Sequence, residues 1–120
     1  MNFDDAMAAH VIWKLRLTRM IEDADGEDLE SFAAGDDSLC AFGRWLHGEG
    51  AQYQATPAYE DVLQKHARFH NCAAEVVRMT EQGDKAGAMK ALHGAFEAAS
   101  RRLVNAVVEF KAEAHKVPFR

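Results

Sequence analysis

Large apolar residues in this chain return at steps of three, four or seven positions rather than alternating, and only two prolines, Pro57 and Pro118, interrupt the sequence. That period is helical, so the expected fold is all-α. Four segments fit it. The first runs from about Phe3 to Asp23, with Phe3, Met7, His10, Leu17 and Ile21 on one stripe and Trp13 beside it, so His10 points inward. Asp23-Ala24-Asp25-Gly26 ends it, and the acidic stretch to Asp37, anchored by Leu29 and Phe32, reads as an ordered crossover loop. Asp37 or Ser38 then caps a short helix from Leu39 to about His47, closed by Gly48 and Gly50, with Cys40 in its first turn.

Thr56-Pro57 is a helix start, a hydroxyl cap followed by a proline whose missing N–H costs nothing at the first helical position. The helix reaches about Gln82 and buries Tyr59, Val62, His66, Phe69, His70, Ala73, Val76, Val77 and Thr80 on one face. Gly83-Asp84 connects it to a long last helix, to about Ala114, that carries Met89, Leu92, Phe96, Ala99, Leu103, Val107 and Phe110 in heptad-like spacing, with Pro118 beyond its end. The expectation is a four-helix bundle of three long helices and one short Cys-bearing helix, with residues 1–120 forming a single domain.

Charge and cysteine content narrow the function. With 14 Lys plus Arg against 19 Asp plus Glu, the net charge of −5 lacks the basic footprint that nucleic acid demands. The start is acidic, no apolar run approaches the roughly 20 residues of a membrane span, and Cys40 and Cys72 are too few for a disulfide framework. A cytoplasmic protein with no membrane segment is expected. Nucleophile elbow, phosphate loop and H-E-x-x-H are all missing from the sequence, so it is not expected to be an enzyme.

Four residues with metal-ligand chemistry face inward: His10, Cys40, His66 and His70. The last two are four apart and therefore share a helix face, a local chelate that distant ligands can complete. Three imidazoles and a thiolate make a full tetrahedral zinc sphere, which leaves no position for substrate water and so suits a structural or sensory site. The plain alternative is a set of hydrogen-bonded core histidines and an inert buried cysteine. An HxxxH pair by itself decides little, but burying three uncompensated imidazoles would cost several kcal/mol.

Around Cys40 the run Cys40-Ala41-Phe42-Gly43-Arg44-Trp45-Leu46 fits a Cys-x-Phe/Leu-Gly-x-Trp-Leu/Tyr pattern, and the order His, cysteine motif, His-x-x-x-His follows. In these residues the chain resembles the chemoreceptor zinc-binding (CZB) domain family, over nearly its whole length. The resemblance implies a four-helix fold with Zn2+ on His10, Cys40, His66 and His70. It further implies a regulatory domain of bacterial chemoreceptors and diguanylate cyclases that responds to zinc and, through the ligand cysteine, to oxidants such as hypochlorous acid. The fused members carry a methyl-accepting coiled coil or a cyclase domain. Here neither occurs, so a stand-alone member is expected to signal through a separate partner, unless the chain is an excised fragment. The heptad-like last helix and the fused relatives admit a homodimer.

The remaining candidates read as follows. Cys72 lies about 200° around the helix from His70 and is expected off the metal face. Gly43 offers room for close helix approach, Trp45 reads as core with a secondary part in shielding the site, and His47 and His115 read as solvated or pole-facing. His93 and Glu97 form an HxxxE pair that, with His10, His66 and His70, gives a rival hemerythrin-like di-iron bundle, disfavoured because no Glu-x-x-His motif occurs. A metal-free helical adaptor is the other rival.

Overall fold

A computed structural model describes residues 3–22 and 40–116, and every element among them is helical. Helix α1 spans Phe3–Glu22, with Asp4 and Asp5 in its first turn and Arg19 in its last, the charge order that complements the helix dipole. Its inner face is Ala6, His10, Leu17 and Ile21, with Phe3, Met7, Trp13 and Met20 packed at the margin. Helix α2 is short, Ala41–His47, and buries Phe42, Gly43 and Leu46. A 3-10 turn, Glu49–Tyr53, carries the chain to α3, Pro57–Glu81. At Gly50 a Cβ would stand 2.9 Å from the Trp45 ring, so this turn can lie against α2 only with glycine there.

The expected hydroxyl cap is present at α3, where Thr56 Oγ1 accepts the Tyr59 N–H at 3.3 Å and Pro57 follows. Its end is equally local. Gly83 adopts φ +82°, its N–H donates to the Thr80 carbonyl, and the Asp84 N–H donates to Met79, the paired bonds of a glycine-terminated helix. Asp84 then caps α4, Lys85–Ala91, by accepting the Gly87 N–H at 2.9 Å.

The last segment departs from the expected single regular helix. A π-helical turn, Leu92–Phe96, separates α4 from α5, Glu97–Lys116, while the backbone stays right-handed helical through Ala91, Leu92 and Glu97. The physical reason lies in the buried stripe. Ala88, Leu92 and Phe96 are all buried at steps of four, and each such step drifts about 40° on a regular helix. A wider turn absorbs the drift and returns Ala99, Leu103, Val107 and Phe110 to the same face.

Helix α3 packs along α4 and α5, and α1 lies against α3 and α5. Ion pairs Asp4–Lys111 (3.2 Å) and Lys14–Glu97 (2.7 Å) run in opposite senses along the two helices, so α1 and α5 are antiparallel. At one end Phe110 gathers Phe3, Trp45, Tyr53 and Tyr59 around its ring. Tyr59 also donates its hydroxyl to the Leu46 carbonyl at 2.6 Å, tying α2 to α3. Burial holds that phenol above its ordinary pKa. No helix among the described residues is long and apolar enough to cross a membrane. The expected crossover loop with Leu29 and Phe32, the His115 side chain and Pro118 lie outside the described residues, as do Asp37 and Ser38, and the cap of α2 expected of those two falls instead to Cys40.

Candidate metal centre

Each of the three bundle helices that meet at mid-height brings a ligand-capable side chain to one point. His10 sits two turns into α1 on its buried face, and His66 with His70 occupy successive turns of α3, all three at most 3% exposed. Cys40 is placed differently from the sequence expectation. It is the N-cap of α2 rather than a first-turn residue, with its sulfur accepting the Gly43 N–H at 3.2 Å. A cap residue has extended backbone, which swings its side chain back over the helix start and, here, toward α3. Gly43 therefore serves through its N–H.

The donor atoms of His10, Cys40, His66 and His70 all lie within 4.8 Å of one another. His66 Nε2 is the centre of the group, 3.1 Å from His10 Nε2, 3.1 Å from His70 Nε2 and 3.2 Å from Cys40 Sγ. One ring nitrogen carries either one hydrogen or one lone pair, so at most one of these three approaches is a hydrogen bond. Edges of a zinc tetrahedron with ordinary bond lengths are about 3.3–3.6 Å, close to the three separations that meet at His66 Nε2. A shared cation fits this donor set better than a hydrogen-bonded cluster does.

Protonation points the same way. His10 Nδ1 lies 2.6 Å from the Ala6 carbonyl, which only accepts, so the ring hydrogen is on Nδ1 and the Nε2 lone pair faces the cluster. Burial, partly opposed by that bond and reinforced by His70, lowers the His10 pKa to about 4. Burial, then His70, His10 and His47, lowers that of His66 to about 2. Both imidazoles are neutral at pH 7, the state a metal requires.

Aromatic rings close the surroundings. Phe42 stands edge-on to His10 and His66, Phe69 to His10 and His70, and Trp13 to His70. Phe42, from the heptapeptide around Cys40, supplies the cover that Trp45 was expected to share; Trp45 packs instead on Phe3, Phe42, Tyr53 and Phe110. Trp13 and Phe69 were visible in the sequence only as core positions, and their spacing to the histidines is the signal that places them here.

The remaining candidates fall outside the cluster. Cys72 is buried in a groove with Ala91, Ala95 and Phe96, as its angle from His70 required, and neither cysteine is in a disulfide. His47 and His93 are exposed. Glu97 is bound to Lys14, whose hydrogen bond and charge hold its carboxyl below the usual range. The HxxxE pair thus supplies nothing to the centre, and among the described residues no carboxylate joins the four, which removes the ligands a di-iron site needs.

Compared with known families, the chain matches the family model described as the chemoreceptor zinc-binding domain over residues 10–77. The match begins at His10 and ends within α3, so it contains all four cluster residues and excludes α4 and α5, a narrower span than the resemblance suggested. No curated protein and no solved structure matches the chain.

Proposed function

The chain belongs to the chemoreceptor zinc-binding domain family, and from that premise we propose that it binds one zinc ion through His10, Cys40, His66 and His70 and regulates a signalling partner according to the state of that site. The convergence of three imidazole nitrogens and one sulfur on a buried point carries this reading. Bound there, zinc would hold Cys40 as thiolate and tie α1, α2 and α3 together. His10 and His66 contribute lone pairs kept unprotonated by burial, and His70 chelates from the same face as His66, one turn on.

Cys40 is the responsive member. It is the one cluster residue that is partly exposed, and the Gly43 N–H stabilises charge on its sulfur. Attack of that thiolate on hypochlorous acid oxidises sulfur by two electrons to the sulfenic acid and releases chloride, leaving a poorer donor. Helix α2 has only seven residues and is not stable without its anchors. Loss of the Cys40 ligand therefore loosens α2 from α3, and this change is what the partner, of chemoreceptor or diguanylate cyclase type, reads in the bacterial cytoplasm. The role is regulatory rather than catalytic.

Elemental analysis of protein purified without added metal tests the site, with one zinc per chain expected; two metals, or iron in place of zinc, overturn it. Stoichiometric hypochlorous acid and a colorimetric zinc reporter test the response. Prompt release in the unmodified chain and in Cys72→Ser supports it, whereas release that Cys72→Ser abolishes, or none short of unfolding, defeats it.

A further inference from the structure

The chain as a whole is acidic, with a net charge of −5, yet three cations line one cleft on the outer side of the bundle. Lys65 and Arg68 of α3 face Arg102 of α5 across a cleft of about 240 Å³, completed by Gln64 and buried Ala99, with no carboxylate in its lining. Lys65 is paired with Asp61 at 2.8 Å. Arg68 and Arg102 have neither an ion pair nor a hydrogen bond among the described residues. Two guanidinium groups brought to one cleft from opposite helices repel each other until an anion enters between them. Guanidinium forks match the oxygens of carboxylates and phosphates alike, but cations approaching from two helices suit the tetrahedral oxygens of a phosphate better than the two of a carboxylate.

Arg68 also lines a second cleft, of about 390 Å³, so the two are joined at its side chain. There the lining changes character. Ala74, Ala91, Ala95 and Phe96 make an apolar slot between α3 and the π turn, and Asn71 stands at its edge with an amide that both donates and accepts. Glu75 and Arg78, on the same rim, are paired with each other at 2.8 Å. A phosphate-sized basic cleft opening into an apolar slot with one amide at its edge is the plan of a site for an organic phosphate that carries a flat ring. The groove also limits the length of its occupant. Beyond Lys65 it turns acidic, with Asp61, Glu109 and Glu113 around a further cleft, so a polyanion laid along it would meet carboxylates. We propose that the two joined clefts bind a mononucleotide, its phosphate between Arg68, Arg102 and Lys65 and its base in the Ala91–Ala95 slot with an edge toward Asn71. Arg68 lies about 200° around α3 from His66, so this site and the metal centre use opposite faces of one helix.

The experiment is isothermal titration calorimetry on the full chain with adenosine monophosphate and guanosine monophosphate, and with inorganic phosphate and adenosine as the separated halves. At least one nucleotide is expected to bind with a dissociation constant below about 100 µM, and each half at least about tenfold more weakly. Arg68→Gln and Arg102→Gln should each raise the nucleotide constant by about tenfold or more, since each removes a charge-assisted hydrogen bond. Ala95→Trp, which fills the slot, should weaken the nucleotide by a similar factor. Arg101→Gln, a neighbour that lines neither cleft, should leave the constant within about twofold at physiological salt. Unchanged circular dichroism establishes that each variant is folded. Four results would each overturn the proposal: no nucleotide bound at about 1 mM, phosphate alone bound as tightly as the nucleotide, nucleotide binding indifferent to the two arginine variants or to Ala95→Trp, or hexaglutamate bound at least as tightly as the nucleotide. The last result would assign the arginines to an acidic protein segment instead.

Discussion

Cys40 Sγ lies 3.2 Å from His66 Nε2, and the same sulfur accepts the Gly43 N–H that starts α2. One atom thus caps a helix and completes the proposed ligand set, and substitutions can separate the two roles. Cys40→Ser retains a capping oxygen, whereas Cys40→Ala removes cap and ligand together. Both should lower zinc affinity by at least about a hundredfold, as expected for loss of a primary ligand. Only Cys40→Ala should also lose about 1 kcal/mol of metal-free stability, the usual worth of a cap. Chelator competition and urea unfolding read the two effects. Equal metal-free stabilities would contradict the capping role.

Removing the metal should destabilise the chain without unfolding it outright, because the aromatic cluster around Phe110 and the α3–α5 core do not depend on the centre. Free zinc at a hundred times its dissociation constant contributes about 2.7 kcal/mol. For a chain of this size that corresponds to a fall in Tm of roughly 10 °C on adding chelator. His93→Ala should leave this difference intact, since His93 is exposed and outside the cluster. Scanning calorimetry with and without chelator measures both.

Acid should weaken the metal-free protein well before carboxylates titrate. His10 and His66 have folded pKa values near 4 and 2, against 6.5 in an unfolded chain. Between pH 6.5 and those values the unfolded state binds protons that the folded state refuses, so stability is full above pH 6.5 and falls as pH drops through the window. The slope should approach about 2 kcal/mol per pH unit near pH 5. Urea midpoints of chelator-treated protein at pH 7, 6 and 5 that coincide would refute the burial of neutral imidazoles. The same protons compete with zinc, so affinity should decline over the same range.

Tyr59→Phe deletes the bond from the phenol to the Leu46 carbonyl and leaves that carbonyl at the end of α2 without the donor it has now. A loss of about 1–2 kcal/mol is expected in denaturant unfolding. Zinc affinity should change far less than in any ligand variant, because Tyr59 anchors the opposite end of α2 from Cys40.

Gly83→Ala probes the α3–α4 connection. No atom lies within 4 Å of where the Cβ would go, yet φ is +82°, so the cost is conformational and should be about 1 kcal/mol with no effect on zinc. A larger loss would indicate a steric role that the structure does not contain.

The helices and the four cluster residues were legible because they follow from short-range rules. His66 and His70 share a face at any helical register, and the apolar stripe of α1 turns His10 inward without knowledge of its neighbours. The heptapeptide around Cys40 tied the short helix to the site. What the sequence did not disclose depends on longer-range geometry. The shift of Cys40 from first turn to cap moves the helix start by two residues, from Leu39 to Ala41, a displacement that only the meeting of α2 with α3 decides. Phe69 and Trp13 look like any core residues until His10 and His70 are seen against their rings. The π turn could have been suspected from consecutive steps of four at Ala88, Leu92 and Phe96, but a heptad-like reading absorbs such steps as ordinary variation.

That wide turn has a consequence for how the chain tolerates change in length. A π turn is a regular helix holding one surplus residue, so the rod from Lys85 to Lys116 is a residue longer than its span requires. Gly94 has open space where a side chain would be. Deleting it would let the backbone relax to uniform α-helical winding with α4 and α5 both keeping their faces, whereas the same deletion in α3 would rotate everything beyond it by about 100° and carry its histidines off the centre or its later residues off the core. The molecule therefore has a place where its length is adjustable and a place where it is not, and the His66–His70 pair stands on the second.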